Sequence, residues 1–84
     1  MNTIEATLIE YIRENILKRP KFGLGPDDPI ISTGLIDSFH LVDMSIFIEE
    51  QFGVRIDDTE LNAETFDTVA QLVGLIQKKQ QQRL

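Results

Sequence analysis

Asp37, Ser38 and His40 lie within one short stretch of the chain, and a carboxylate, a hydroxyl and an imidazole are the groups from which a hydrolytic triad is made. The spacing forbids that use. Side chains two positions apart at a helix start point about 200° away from one another, so His40 cannot take the proton of Ser38. The chain has no second histidine to replace it. What is left for Ser38 is to be acted upon. Asp37 can cap a helix beginning at this point, and the Ser38 hydroxyl then emerges beside the positive end of the helix dipole. A phosphodiester formed there would gain from the dipole and from the first-turn N–H groups. The competing reading is that Ser38 merely caps or begins the helix, and on the residues alone that plainer role is favoured, because serine is common at such positions.

Other chemistry finds less support. There is no cysteine, which argues against a zinc site, and neither Asp27 with Asp28 nor Asp57 with Asp58 has the spacing of a calcium loop. The Gly23-Leu24-Gly25 run lacks the glycine pattern of a nucleotide loop and reads as a turn.

The elements that must hold Ser38 follow from periodicity. From Thr3 to Leu17, Ile4, Leu8, Tyr11, Ile12 and Ile16 recur at helical spacing, opposite Glu5, Glu10, Arg13 and Glu14. Asn2 or Thr3 can cap this first helix, Lys18 and Arg19 suit its C-terminal dipole, and Pro20 ends it. Residues 19 to 36 hold all three prolines and three of the five glycines, so a long connection is expected, packed by Ile30, Ile31, Leu35 and Ile36. A second helix is expected from Asp37 to Phe52, closed by Gly53. Steps of about 100° place Leu41, Met44, Ser45, Ile48 and Phe52 on one side, the natural core face. Phe39, Val42 and Ile46 fall on another, among Asp43, Glu49 and Glu50. An apolar stripe framed by acids reads as a docking surface; the alternative is that the long loop folds over it. Val54 and Ile56 anchor the next connection, Leu61 and Phe66 suit a helix of one or two turns, and Val69, Leu72, Val73 and Ile76 mark a last helix begun at Thr68, with Gln71 at capping-box spacing. The pattern predicts an all-α fold: a small four-helix bundle of three long helices and one short, with a long loop between the first two. One domain spans 1–84, with its core at about 3–77 and a polar tail, 78–84, expected to fray.

At 84 residues with no disulfide possible, burial of apolar side chains must carry the fold. The net charge of −6 is unevenly spread. Residues 1–26 hold three acids and four bases, residues 27–67 eleven acids and one base, Arg55, and residues 68–84 three bases and no acid. An acidic centre repels nucleic acid and anionic membrane and attracts proteins with basic patches; equally, it could serve only to keep a small domain soluble. No signal peptide and no membrane-spanning run is visible, so a cytoplasmic location is expected.

Taken together, the motif Asp37-Ser38-Phe39 preceded by Gly34-Leu35-Ile36, the Phe52-Gly53-Val54 turn, Ile56-Asp57-Asp58 and the helix start at Thr68-Val69-Ala70-Gln71-Leu72 resemble the carrier-protein family, the acyl and peptidyl carrier domains that hold cargo on a 4′-phosphopantetheine arm. The resemblance runs from Ile4 to Ile76. It implies that Ser38 is the attachment serine and Asp37 part of its motif, and that a separate phosphopantetheinyl transferase installs the arm from coenzyme A. It implies a non-catalytic chain that carries acyl intermediates as thioesters in fatty-acid, polyketide or related biosynthesis. The second helix would then meet partners through Phe39, His40, Val42, Asp43, Ile46, Glu49 and Glu50. Those partners would be synthases, acyltransferases or adenylate-forming ligases with basic docking patches, and the carrier is expected to be a monomer that inserts in no membrane. Leu41, Met44 and Ile48 face the interior, where carriers of fatty-acid type shelter an acyl chain.

Some residues depart from that pattern. Phe39 replaces the usual leucine, and His40 stands where fatty-acid carriers generally have an acid. The longer GLIDSF wording and the ELNAETF segment are similar to stand-alone carriers loaded by adenylate-forming ligases, D-alanyl carriers among them. An aminoacyl or D-alanyl carrier is therefore the second reading. The third, from a different class, is an acidic helical interaction module with no arm.

Overall fold

Each of the three long periodic stretches becomes helix, in a computed structural model that describes residues 3–82. Helix α1 spans Thr3–Tyr11 and runs on into a wider π-helical turn, Ile12–Ile16. There the backbone ladder slips: Leu17 N–H donates to the Ile12 carbonyl at 2.8 Å and Arg19 N–H to the Arg13 carbonyl at 2.7 Å, past the usual four-residue spacing. Lys18 then takes a left-handed conformation, φ 55°, which costs a side-chain-bearing residue on the order of 1–2 kcal/mol. Regular helix was expected through Leu17; the slipped turn and Lys18 end it sooner. Capping by Asn2 falls outside the described residues.

Helix α2 spans Ser38–Phe52 and α3 spans Val69–Gln82. Asp37 is extended (φ −90°, ψ 176°) and caps α2, and Gly53 closes it with φ 69°, its N–H donating to the Glu49 carbonyl at 2.9 Å. At the head of α3 the Thr68 hydroxyl accepts from Gln71 N–H at 3.1 Å. The return arm of the expected capping box lands one residue early, Gln71 Oε1 accepting from Asp67 N–H at 2.7 Å.

The fourth helix is where expectation and structure part. Asp58–Glu60 is a single 3-10 turn, so the described residues form an all-helical arrangement of three helices with one short turn, and no strand. The reason lies in Asn62. Its amide donates to the Thr59 carbonyl at 2.8 Å and its carbonyl oxygen accepts from Thr65 N–H at 2.9 Å, a side-chain alternative to the helical ladder that folds the segment into turns. Helix α3 runs as far as Gln82 and so takes in the described part of the polar tail. Lys79 Nζ lies 3.0 Å from Glu60 Oε1, tying that last stretch to the 3-10 turn. Glu60 titrates below the ordinary carboxylate range, first because it accepts from Asp57 N–H and then because Lys79 is beside it.

One core unites the helices. Leu8, Ile12 and Ile16 share it with Leu41, Met44 and Ile48 of α2, with Val69, Leu72, Val73 and Ile76 of α3, and with Phe66. Each such side chain contributes about 1.5–3 kcal/mol on burial, and no charged or polar residue is buried among them in the described chain. The long connection adds Leu24, Ile30 and Ile36, while Ile31 and Leu35 are half-buried. Ser45, expected on the core face, is also half-buried and spends its hydroxyl on the Val42 carbonyl at 2.7 Å. Across α1 and α2, Tyr11 stacks on Phe47 with ring centroids 4.0 Å apart, and Phe52 meets Phe47 edge-on. Burial, and the negative charge of Asp43 nearby, push the Tyr11 hydroxyl above its ordinary value.

Candidate functional site

The start of α2 assigns separate tasks to three neighbours. The Asp37 carboxylate accepts from His40 N–H at 2.9 Å, the capping bond of the helix. The same oxygen lies 3.0 Å from His40 Nδ1. Capping is therefore done by Asp37, and Ser38, the first residue of the helix, is left free of it. Ser38 is exposed, and its hydroxyl makes no hydrogen bond among the described residues. An acid–imidazole pair thus exists without an imidazole–serine pair, and among the described residues the hydroxyl has no base bonded to it.

A phosphodiester fits this position. The Asp37 carboxylate at the cap aside, the first turn of α2 contains no acid, the helix dipole presents its positive end there, and the backbone N–H groups of Ser38 and Phe39 are not taken up by the helical ladder. The Asp37 charge, the nearest negative one in sequence, is shared with two His40 nitrogens.

Beyond the hydroxyl, α2 shows two faces. Leu41, Met44 and Ile48 point into the core. On the other side Phe39 is 81% exposed, Val42 45% and Ile46 53%, the large apolar side chains that the described residues leave in solvent. Asp43, Glu49 and Glu50 are exposed among them. The long loop does not fold over this stripe. His40 lies at its upper end, half-exposed.

The loop goes elsewhere, and its anchor is a residue that periodicity does not single out. Asp67, just ahead of α3, takes the backbone of the loop in hand: its carbonyl accepts from Ile30 N–H at 2.7 Å, and its Oδ1 from Ile31 N–H and Ser32 N–H, each at 2.8 Å. Its Oδ2 accepts from the Ser32 hydroxyl. With Ser32 Oγ as the first cause and the backbone donors adding to it, the carboxyl titrates below the ordinary range. The loop then closes on itself, Ile36 N–H donating to the Ile30 carbonyl at 2.9 Å, and a second tie runs from Ala70 N–H to the Pro26 carbonyl at 2.9 Å. In the sequence Asp67 looks like any acid near a helix start; its partners lie 35 and 36 positions away, beyond the reach of a local pattern.

Among the described residues no three histidine, cysteine, aspartate or glutamate side chains are grouped to hold a metal ion, and no helix is long and apolar enough to cross a membrane.

Several known proteins have similar sequences. The family described as "Phosphopantetheine attachment site" matches residues 6–76. "Probable acyl carrier protein PigG" of a Serratia species is 29% identical over 75 residues, which is 89% of this chain and 86% of that protein. The D-alanyl carrier protein of Bacillus velezensis is 32% identical over 67 residues, 80% of each chain. The acyl carrier protein of Thermotoga maritima is 44% identical over a shorter stretch of 43 residues, 51% of each. With a capped helix that presents a free serine and a family match across most of its length, the chain belongs to the phosphopantetheine-binding carrier proteins, which hold 4′-phosphopantetheine covalently.

Proposed function

We propose that Ser38 is the residue that holds the arm, and that the chain carries acyl groups for partner enzymes without catalysis of its own. The observation that carries this reading is the free Ser38 hydroxyl at the capped start of α2. The arm, when bound, supplies a flexible tether whose terminal thiol holds cargo as a thioester. The residues of this chain do the rest. Asp37 fixes the first turn of α2 and so the direction of the Ser38 Cβ–Oγ bond, and the N–H groups of Ser38 and Phe39 with the helix dipole favour the phosphodiester charge. In the attachment itself a new Oγ–P bond forms, the nucleotide half of coenzyme A departs, and the hydroxyl proton passes to a base of the transferase, since no imidazole of this chain reaches it.

The stripe Phe39, Val42 and Ile46, with His40, Asp43, Glu49 and Glu50, is the surface we assign to partner enzymes. Carboxylates raise the encounter rate with basic surfaces, and the apolar side chains supply the contact once docked. The partners implied are a phosphopantetheinyl transferase and the ligases, synthases or acyltransferases that load and use the cargo, met by a cytoplasmic monomer.

A specific observation supports a second cargo. The D-alanyl carrier protein matches over as much as 80% of this chain, and adenylate-forming ligases would then load an aminoacyl group in place of an acyl chain. Intact-mass measurement after incubation with coenzyme A and a permissive transferase tests the first step. A gain of one arm that disappears in Ser38→Ala is expected; no gain, or a gain that survives the substitution, overturns the assignment. Challenge of the loaded protein with acyl and aminoacyl adenylates and their ligases then distinguishes the two cargoes.

A further inference from the structure

We propose that Asp67 is a positioning residue for Ser38: its clasp on the loop fixes the backbone that delivers the serine to a transferase. This rests on the reading of Ser38 as the attachment site.

A continuous path of bonds leads from one residue to the other. Asp67 is itself held at the head of α3, its N–H bonded to Gln71 Oε1 at 2.7 Å. From there its main-chain and side-chain oxygens fix three consecutive loop residues, Ile30, Ile31 and Ser32. Ile30 is fully buried and its carbonyl receives Ile36 N–H at 2.9 Å. Between them the chain reverses compactly, with Gly34 at φ 76°, its N–H bonded to the Ile31 carbonyl at 3.0 Å, and the Thr33 hydroxyl bonded to the Pro29 carbonyl at 3.0 Å. Ile36, also buried, is followed directly by Asp37 and Ser38. The loop is therefore held in three ways: apolar burial at Ile30 and Ile36, main-chain bonds to Asp67 and Ala70 that a side-chain substitution leaves in place, and the Asp67 carboxylate on Ile31 and Ser32.

Burial sets where the loop lies; directed hydrogen bonds set its angle. Three donors converging on one carboxylate define an orientation that apolar contact leaves broad. Displacement of a reacting atom by about 1 Å is enough to cost a large factor in a transfer step. Loss of the clasp should therefore act on the transfer step more than on encounter, because the exposed stripe of α2 is untouched.

The test compares Asp67→Ala, Asp67→Asn and wild type as transferase substrates, with steady-state kinetics of arm transfer read by mass. Asp67→Ala is expected to lower kcat roughly tenfold with KM nearly unchanged. Asp67→Asn keeps an oxygen for the Ile31 and Ser32 N–H groups and is expected to restore most of the rate. Amide hydrogen exchange at Ile31 and Ser32 should rise in Asp67→Ala while Leu41 and Leu72 remain protected. Faster exchange at Ile31 and Ser32 with wild-type kcat overturns the proposal, as does an equal fall in both Asp67 variants. If Asp67→Ala does not fold, Asp67→Ser takes its place, its short side chain falling away from the Ile31 and Ser32 N–H groups, and a wild-type kcat in that variant overturns the proposal. Failure of the attachment reading looks different: the wild-type chain itself would gain no mass, or Ser38→Ala would still gain it.

Discussion

At the scale of single residues, the start of α2 shows how one position can be freed for chemistry by another. Asp37 makes the capping bond, so the hydroxyl one residue on has nothing to hold. Exchange Asp37 for alanine and the helix loses about 1 kcal/mol of capping energy, which a urea melt of the unmodified chain would register. His40 is the residue whose type departs from the expected acid, and it tempers the negative charge of Asp37 at 3.0 Å. Replacement of His40 by aspartate adds a carboxylate beside the exposed stripe. Association with a basic partner should then quicken at low salt, by a factor that shrinks as salt is added. Stopped-flow measurement at two ionic strengths checks this, and an unchanged rate would put His40 outside the docking face.

Elements differed in how far their sequence disclosed them. Helix α2 was legible nearly residue for residue, because Asp37, the apolar period and Gly53 mark its start, face and end with independent signals. The slipped turn after Tyr11 was not, since Ile12 and Ile16 suit an α-helix as well as a π-turn. Nor was the short segment: Leu61 and Phe66 promise a helix, while Asn62 offers its side chain to the backbone and diverts it. The loop anchor at Asp67 was hidden for another reason, namely that its partners are distant in the chain. Its acidity carries a prediction about the element it holds. A carboxyl depressed in the fold binds fewer protons than in the unfolded chain, so its contribution to stability is present above the ordinary carboxylate value of about 3.9 and is lost as pH falls through the lower folded value. Denaturation midpoints of wild type and Asp67→Asn should therefore converge as pH is lowered below about 4, and a gap that stays constant with pH would contradict this.

For the molecule as a whole, sequence separated interior from surface well. Leu8, Ile12, Met44, Ile48, Leu72 and Ile76, all from the expected stripes, are buried, because an amphipathic helix in a domain of this size has one direction in which to hide its apolar side. What sequence left open was the fate of the second stripe, which depended on where the loop would lie. Two phenylalanines now separate stability from recognition. Phe66, 1% exposed, should cost about 3–5 kcal/mol when cut to alanine, a large share of the roughly 5–15 kcal/mol that holds a domain together. Phe39, 81% exposed, should melt within about 0.5 kcal/mol of wild type as alanine and instead weaken partner binding. Chemical denaturation paired with a binding titration reads both. The single histidine has a last use at this scale. With one imidazole in 84 residues, fastened to the cap of the helix that presents Ser38, the imidazole protons give a single set of magnetic-resonance lines, separate from those of the phenylalanine and tyrosine rings. Those lines stand two positions from the hydroxyl proposed to hold the arm, so on that reading the chain carries a built-in reporter by which its unloaded and loaded forms can be counted in solution, with no label added.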